Sequence, residues 1–421
     1  MGNSKFKKIA LILGFLIIVF LLGILIWNTF FRKDQPTITP PTEIIIDPIT
    51  GLPISPEGEG QIIVDEEGRP ITPSPDIEIQ PQAPTIVPGQ IVNPTASGGL
   101  TQTETLVTSS TLNPTLGRDG GSIQFYDRSD GKFYTIDSNG NLVALSNRVF
   151  HNVQDIVWAP NKTKAVLEYP DGNKIVYDFA SEKQVTLPKH WEDFSFSSDS
   201  SKLVNKSLGL DPDNRWLIMS NSDGSQSRAI EFIGTNDEYV IPSWSPNNQS
   251  IAMYTRGLDF NRREVFFVGQ HNENFKSTII EGWGFDPLWS ENGDKLLYSV
   301  YSPQNELKPN IWIVNAVGDD IGINRKNLQL ETWAEKCTFA SNTDVYCAVP
   351  RELPEGAGLF PEIADRVADD LYKINIQTGQ KELIAIPDIN FNISGLMVDT
   401  NQNYIFFTDK ATGRIHKIQL Q

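Results

Sequence analysis

A strand–turn–strand motif recurs through the last three-quarters of the chain, and no other feature restricts the fold as tightly. Its clearest copy is Ser243-Trp244-Ser245-Pro246-Asn247-Asn248-Gln249-Ser250-Ile251-Ala252-Met253-Tyr254. Related copies begin near Asn113, Trp158, Phe196, Trp289, Phe339 and Val398, so successive starts lie roughly 38 to 60 residues apart. Each copy has one build: an apolar or aromatic strand end, a turn rich in Pro, Asn, Asp and Gly, then a second apolar strand. That is a β-hairpin. A repeat of this length belongs to propellers and solenoids, in which no unit buries its apolar face without its neighbours.

Two more strands follow each hairpin. Behind the Trp158 copy they are Lys174-Ile175-Val176-Tyr177 and Gln184-Val185-Thr186-Leu187. Four antiparallel strands per unit predict an all-β propeller, whose radial closure removes long exposed edges. The motif starts predict seven blades, or six if the faint Asn113 copy is not a hairpin. After Arg414-Ile415-His416-Lys417-Ile418 the last unit is one strand short, so a segment near 103–108 is expected to supply it and close the ring.

Trp244-Ser245-Pro246-Asn247-Asn248-Gln249-Ser250-Ile251-Ala252 and Trp289-Ser290-Glu291-Asn292-Gly293-Asp294-Lys295-Leu296-Leu297 resemble the W-S-P-D-G-K-x-I-A repeat of TolB-type, or WD-like, propellers. The resemblance covers about residues 113–421. It implies the fold more than the function, because this scaffold carries interaction proteins, peptidase accessory domains and surface proteins alike. Only Trp158, Trp244 and Trp289 keep the Trp, and the copies at Phe339 and Val398 are degenerate.

Upstream of the repeats the composition changes twice. Residues 9–31 are apolar apart from Asn28 and Thr29, about 23 residues, enough to cross a bilayer core. Lys5, Lys7 and Lys8 precede this run and Arg32 and Lys33 follow it, a bias that places residues 1–8 in the cytoplasm. No small-residue cleavage site follows, so the expectation is an uncleaved signal anchor in a bacterial cytoplasmic membrane, single-pass, with the C-terminal domain extracytoplasmic. Residues 32–112 are rich in Pro, Thr, Ser and acids and predict a disordered, extended linker that sets residues 113–421 away from the membrane.

The net charge of −17 argues against nucleic acid, whose phosphates require clustered Lys and Arg. No G-x-S-x-G elbow is present, so the hydrolase that accompanies some such propellers has no counterpart here. His151, His190, His271 and His416 have no metal-like partner at short spacing, and Asp137-Ser138-Asn139-Gly140-Asn141 and Asn221-Ser222-Asp223-Gly224-Ser225 read as turns rather than calcium loops. Neither a cofactor nor a metal is expected. Cys337 and Cys347 flank the turn at Ser341-Asn342-Thr343-Asp344, which sets them opposite each other on neighbouring strands as a candidate disulfide or a pair of buried thiols.

In a propeller the loops joining second to third strands, and each blade to the next, open on one face. The long loops fall there, including 256–263, 302–308 and 350–370, the last holding a short amphipathic helix over 359–367. The candidate partner-binding residues on this face are Trp191, Tyr239, Trp283, Phe285, Trp333, Arg256, Arg263, Leu359 and Phe360. They predict a non-enzymatic, monomeric scaffold for a protein or a cell-envelope polymer. The rival reading is a glycan-binding or glycan-cleaving propeller with Asp193, Glu238, Asp286 and Glu335 at the channel mouth.

Overall fold

The structure is a computed structural model that describes residues 91–271 and 273–421, together with Leu22, Ile45–Ile46 and Pro53–Ile54. The chain divides into two units, Met1–Ile79 and Gln80–Gln421. In the first, Ile45–Ile46 pairs antiparallel with Pro53–Ile54. The apolar span 9–31 lies outside the described residues apart from Leu22, as does most of the 32–112 stretch; among the described residues no helix is long and apolar enough to cross a membrane.

The second unit is a seven-bladed β-propeller. In chain order the blades run over residues 111–144, 155–187, 191–232, 240–281, 283–327, 337–387 and 393–419. First strands of neighbouring blades touch at most of the seams, whereas fourth strands such as Leu142–Ala144 and Lys183–Leu187 lie toward solvent. Every seam between blades has its own apolar core. Ala165, Tyr177 and Phe133 fill the seam between blades 1 and 2, for example, and Met253, Val265 and Tyr298 the seam between blades 4 and 5. Each blade is therefore stable only against its neighbours, which is what the sequence period implies.

The repeated side chains have local reasons. The hydroxyls of Ser197, Ser245 and Ser290 are buried and accept the N–H of Lys202, Ser250 and Lys295 at 2.9, 2.9 and 3.0 Å, which staples the two arms of each hairpin. Three residues after each serine the chain folds through the left-handed region, at Ser200, Asn248 and Gly293. At Gly293 a β-carbon would also meet the Asn247 nitrogen at 2.8 Å, so glycine is required. Two of the repeat tryptophans bond to the preceding blade: Trp158 donates to the Asn113 carbonyl at 2.8 Å and Trp289 to the Ser243 hydroxyl at 3.0 Å.

Closure uses the segment just before blade 1. Glu104–Val107 pairs antiparallel with Ile415–Gln419 as the fourth strand of blade 7. Thr105 and the buried His416 bond across this pair, Oγ1 to Nδ1, at 3.1 Å. Gly99–Thr101 adds a fifth, parallel strand to blade 6 against Lys381–Pro387. The ring thus begins inside the stretch assigned to linker by composition: Leu100 and Val107 are buried, and a short strand can join a sheet edge without a periodic pattern of its own. The expected helix over 359–367 is a single 3-10 turn, Pro361–Ala364, too short to propagate as an α-helix.

Candidate functional site

Strand direction alternates within a blade, so the 2–3 loops and the blade-to-blade loops share one face, and the hairpin turns occupy the other. The two faces differ. Among the described residues, large exposed hydrophobic side chains on the first face's loops are Val149, Leu210, Tyr239, Leu258, Phe260, Leu359, Phe360 and Ile363, whereas the opposite face's loops expose only Ile323. Leu210 is fully exposed and Phe260 is 75% exposed. The exposed apolar side chains on loops are thus concentrated on one face.

The loop over residues 350–370 is held rigidly. Leu353, Ala357 and Ala364 form a small separate core with Trp333 and Val367. The N–H groups of Gly356 and Gly358 donate to the carbonyls of Glu306 and Leu307 in blade 5 at 2.9 and 2.8 Å. Beneath the loop, buried Lys336 donates to Asp369 Oδ2 at 2.7 Å and to Asn392 Oδ1 at 2.8 Å, and Asn392 in turn donates to the Ala364 carbonyl at 3.1 Å. These contacts hold the base of the loop while Leu359, Phe360 and Ile363 stay in solvent.

The candidate binding residues do not form one patch. Tyr239 is exposed with the Arg263 guanidinium 5.8 Å from its ring, and Arg256 pairs with Glu264 at 2.8 Å. Trp283 is half-buried between Phe260 and Tyr301, at 5.2 and 6.1 Å between ring centres. Phe285 packs on Tyr298 in the core between blades 4 and 5, and Trp333 belongs to the small core under the long loop. Trp191 opens the first strand of blade 3 and is buried against Val166 and Phe194. Its environment makes it a packing residue, so it leaves the candidate set. Leu210, Leu258, Phe260 and Ile363 join it, each in a 2–3 loop whose exposure becomes visible only once the blades are placed.

Of the four acids proposed at the channel mouth, two come together. The Glu335 N–H donates to Asp286 Oδ2 at 3.1 Å across the seam between blades 5 and 6. Burial, together with the nearby Glu335 charge, pushes the Asp286 carboxyl up to about 6 against the favourable Glu335 N–H and Ser299 hydroxyl. Asp193 instead pairs with Lys206 at 2.6 Å and Glu238 is exposed. Among the described residues no group of three His, Cys, Asp or Glu side chains is placed to hold a metal ion. The carboxylates of Asp137 and Asp223 accept backbone N–H groups of their own turns, from Asn139 at 2.9 Å and Ser225 at 3.0 Å.

Cys337 and Cys347 stand directly opposite in blade 6 and are bonded, with an S–S distance of 2.08 Å. Two clefts open on the same face as the apolar loops. One of about 640 Å³ lies between blades 1 and 2 and includes Arg148, His151 and Tyr169; the other, of about 740 Å³, lies between blades 4 and 5.

The fold is that of a β-propeller, and solved WD40-type propellers are similar to it in fold. The propeller domain of Cps50 (Swd1) from Myceliophteria thermophila matches with a TM-score of 0.50 at 11% identity, over 76% of this chain and all (100%) of that one. The WD40 repeats of RRP9 match with a TM-score of 0.50 at 10% identity, over 79% and 100%. TolB from Acinetobacter baumannii matches more loosely, with a TM-score of 0.41 at 12% identity, over 65% and 66%. At such identities the likeness is one of fold. No family pattern and no curated protein matches the sequence.

Proposed function

We propose that this protein is a non-enzymatic binding scaffold that engages a protein or cell-envelope partner through the face carrying the 2–3 and blade-to-blade loops. The observation that carries this reading is the asymmetry of exposed hydrophobic side chains between the two faces. Loops on a rigid ring present such side chains without an ordering cost at binding. Supporting the extracytoplasmic part of the reading are the apolar run at 9–31, the Lys5, Lys7 and Lys8 bias before it, and the Cys337–Cys347 bond, since disulfides persist in oxidising compartments. The chain would then be a single-pass protein of the cytoplasmic membrane, its propeller monomeric and held off the membrane on the proline-rich stretch.

The test is capture from solubilised envelope with the full chain, with Phe360→Glu and with Ile323→Glu. Phe360→Glu is expected to lose the partner and Ile323→Glu to keep it. Equal capture by all three would overturn the assignment of the face. Removing the whole loop is a poor test, because it would take Asp369 away from buried Lys336 and leave a charge uncompensated.

A second reading rests on Asp286 and Glu335. A carboxyl group that is partly protonated near neutrality, beside a second acid at the inner seam, is the raw material of general acid catalysis on a glycan. Turnover of any glycan that disappears with Asp286→Asn would select it over the scaffold.

A further inference from the structure

The cleft between blades 4 and 5 is built differently from the apolar loop tips. Its charged side chains neutralise one another: Arg262 pairs with Asp259 at 2.6 Å, and Arg325 with Glu281 at 2.9 Å. Asp259 is further occupied by the N–H groups of Asn261 and Arg262, both at 2.9 Å. The uncharged polar lining that remains is mostly side-chain amides, from Asn261, Gln304, Asn305, Asn310 and Asn327, with the Ser302 hydroxyl.

Several of these amides lack partners. The Asn310 Oδ1 atom is buried without a hydrogen bond. Among the described residues no group bonds the side chains of Asn261 or Gln304, and the Trp312 indole N–H has no acceptor. Buried polar atoms without partners are uncommon, and one on a cleft wall calls for a donor from outside the chain. At the rim Phe260 stands 75% exposed, T-shaped against Trp283 at 5.2 Å between ring centres, so most of its ring surface faces solvent.

We propose that this cleft binds a neutral oligosaccharide. Amides donate and accept at once, as hydroxyls do, whereas carboxylates only accept and ammonium groups only donate. A solvent-exposed aromatic ring can cover the C–H side of a sugar ring and exclude water from it. The internally paired charges offer nothing to an anionic polymer, which the chain's net charge of −17 also repels. A peptide fits less well. The only apolar side chains in the lining are Phe260, Val300 and Trp312, and the outer strand beside the cleft, Lys326–Asn327, is two residues long, so it has neither a side-chain pocket nor an edge to extend. This inference goes beyond the scaffold reading, since it concerns a polar cleft that shares only Phe260 with the apolar loop tips of that face.

The experiment is calorimetric titration of the full chain with chitotetraose, cellotetraose and maltotetraose, with tetragalacturonate and a mixed tetrapeptide pool as comparisons, repeated on Phe260→Ala, Asn310→Ala and Phe360→Glu. Saturable binding of at least one neutral sugar is expected. Phe260→Ala and Asn310→Ala should each weaken it tenfold or more at unchanged melting temperature, while Phe360→Glu leaves it intact. Absence of binding to all three neutral sugars, binding insensitive to both cleft variants, or saturable binding of the peptides or of tetragalacturonate instead would each overturn the proposal. A loss with Phe360→Glu alone would credit the loop tips and also overturn it.

Discussion

At Asp286 a single carboxyl carries two readings, and its proton separates them. Its folded pKa of about 6 lies above the ordinary carboxylate value, so the folded state favours the neutral acid. The stabilisation this gives is fully present below the unfolded pKa and is lost as the pH rises from about 4 through 6. Asp286→Asn should therefore raise the stability by on the order of 1 kcal/mol at pH 7.5, discounted for partial exposure, and leave it nearly unchanged at pH 4. Melting curves of the two proteins at both pH values check this. A destabilised variant at pH 7.5 would mean that the ionised carboxylate holds the seam together, which would remove the basis for an acid role. Sequence order set Asp286 and Glu335 at one channel mouth with Asp193 and Glu238 but did not single them out as a pair, because the encounter depends on how blade 5 is rotated against blade 6. Nor did it separate Trp191 from the exposed aromatics, since an aromatic beside acids looks the same at a buried strand start as on a loop.

At the level of elements the question is what closes the ring. Val107 and Leu100 are buried strand residues from before blade 1, and Val107 packs with Met397, Phe406 and Ile123 in the seam between blades 7 and 1. Val107→Asp places a charge without a partner in that seam and should cost about 3–5 kcal/mol. Val143→Asp, on the exposed outer strand of blade 1, should stay within about 0.5 kcal/mol. Chemical denaturation of both variants tests the closure, and wild-type behaviour of Val107→Asp would show that the ring does not depend on this strand. The closing strand was legible because the last unit is visibly one strand short. The parallel strand Gly99–Thr101 was not, since it pairs with residues some 280 positions away through three register partners and has no turn to announce it. The hairpins of blades 3, 4 and 5, by contrast, are written locally: a buried Ser, a left-handed turn residue and an apolar strand on either side identify each of them.

For the whole molecule, the ring matters because it fixes loop tips from different blades in one frame. Leu210 belongs to blade 3 and Phe360 to blade 6, and no contact links them, so a partner that covers both must span the face. Their contributions should then add. Leu210→Ser and Phe360→Glu are each expected to weaken partner binding by about 1–3 kcal/mol, roughly tenfold to a hundredfold, and the double variant by the sum within about 0.5 kcal/mol. Surface plasmon resonance with the captured partner measures all four proteins. An effect confined to Phe360→Glu would reduce the interface to blade 6 and make the ring a mere carrier of one loop. A double variant much weaker than the sum would point to a partner that folds across the face and loses its order once either anchor is gone, because coupling between distant sites then runs through the partner and not through a propeller whose seams are independently packed.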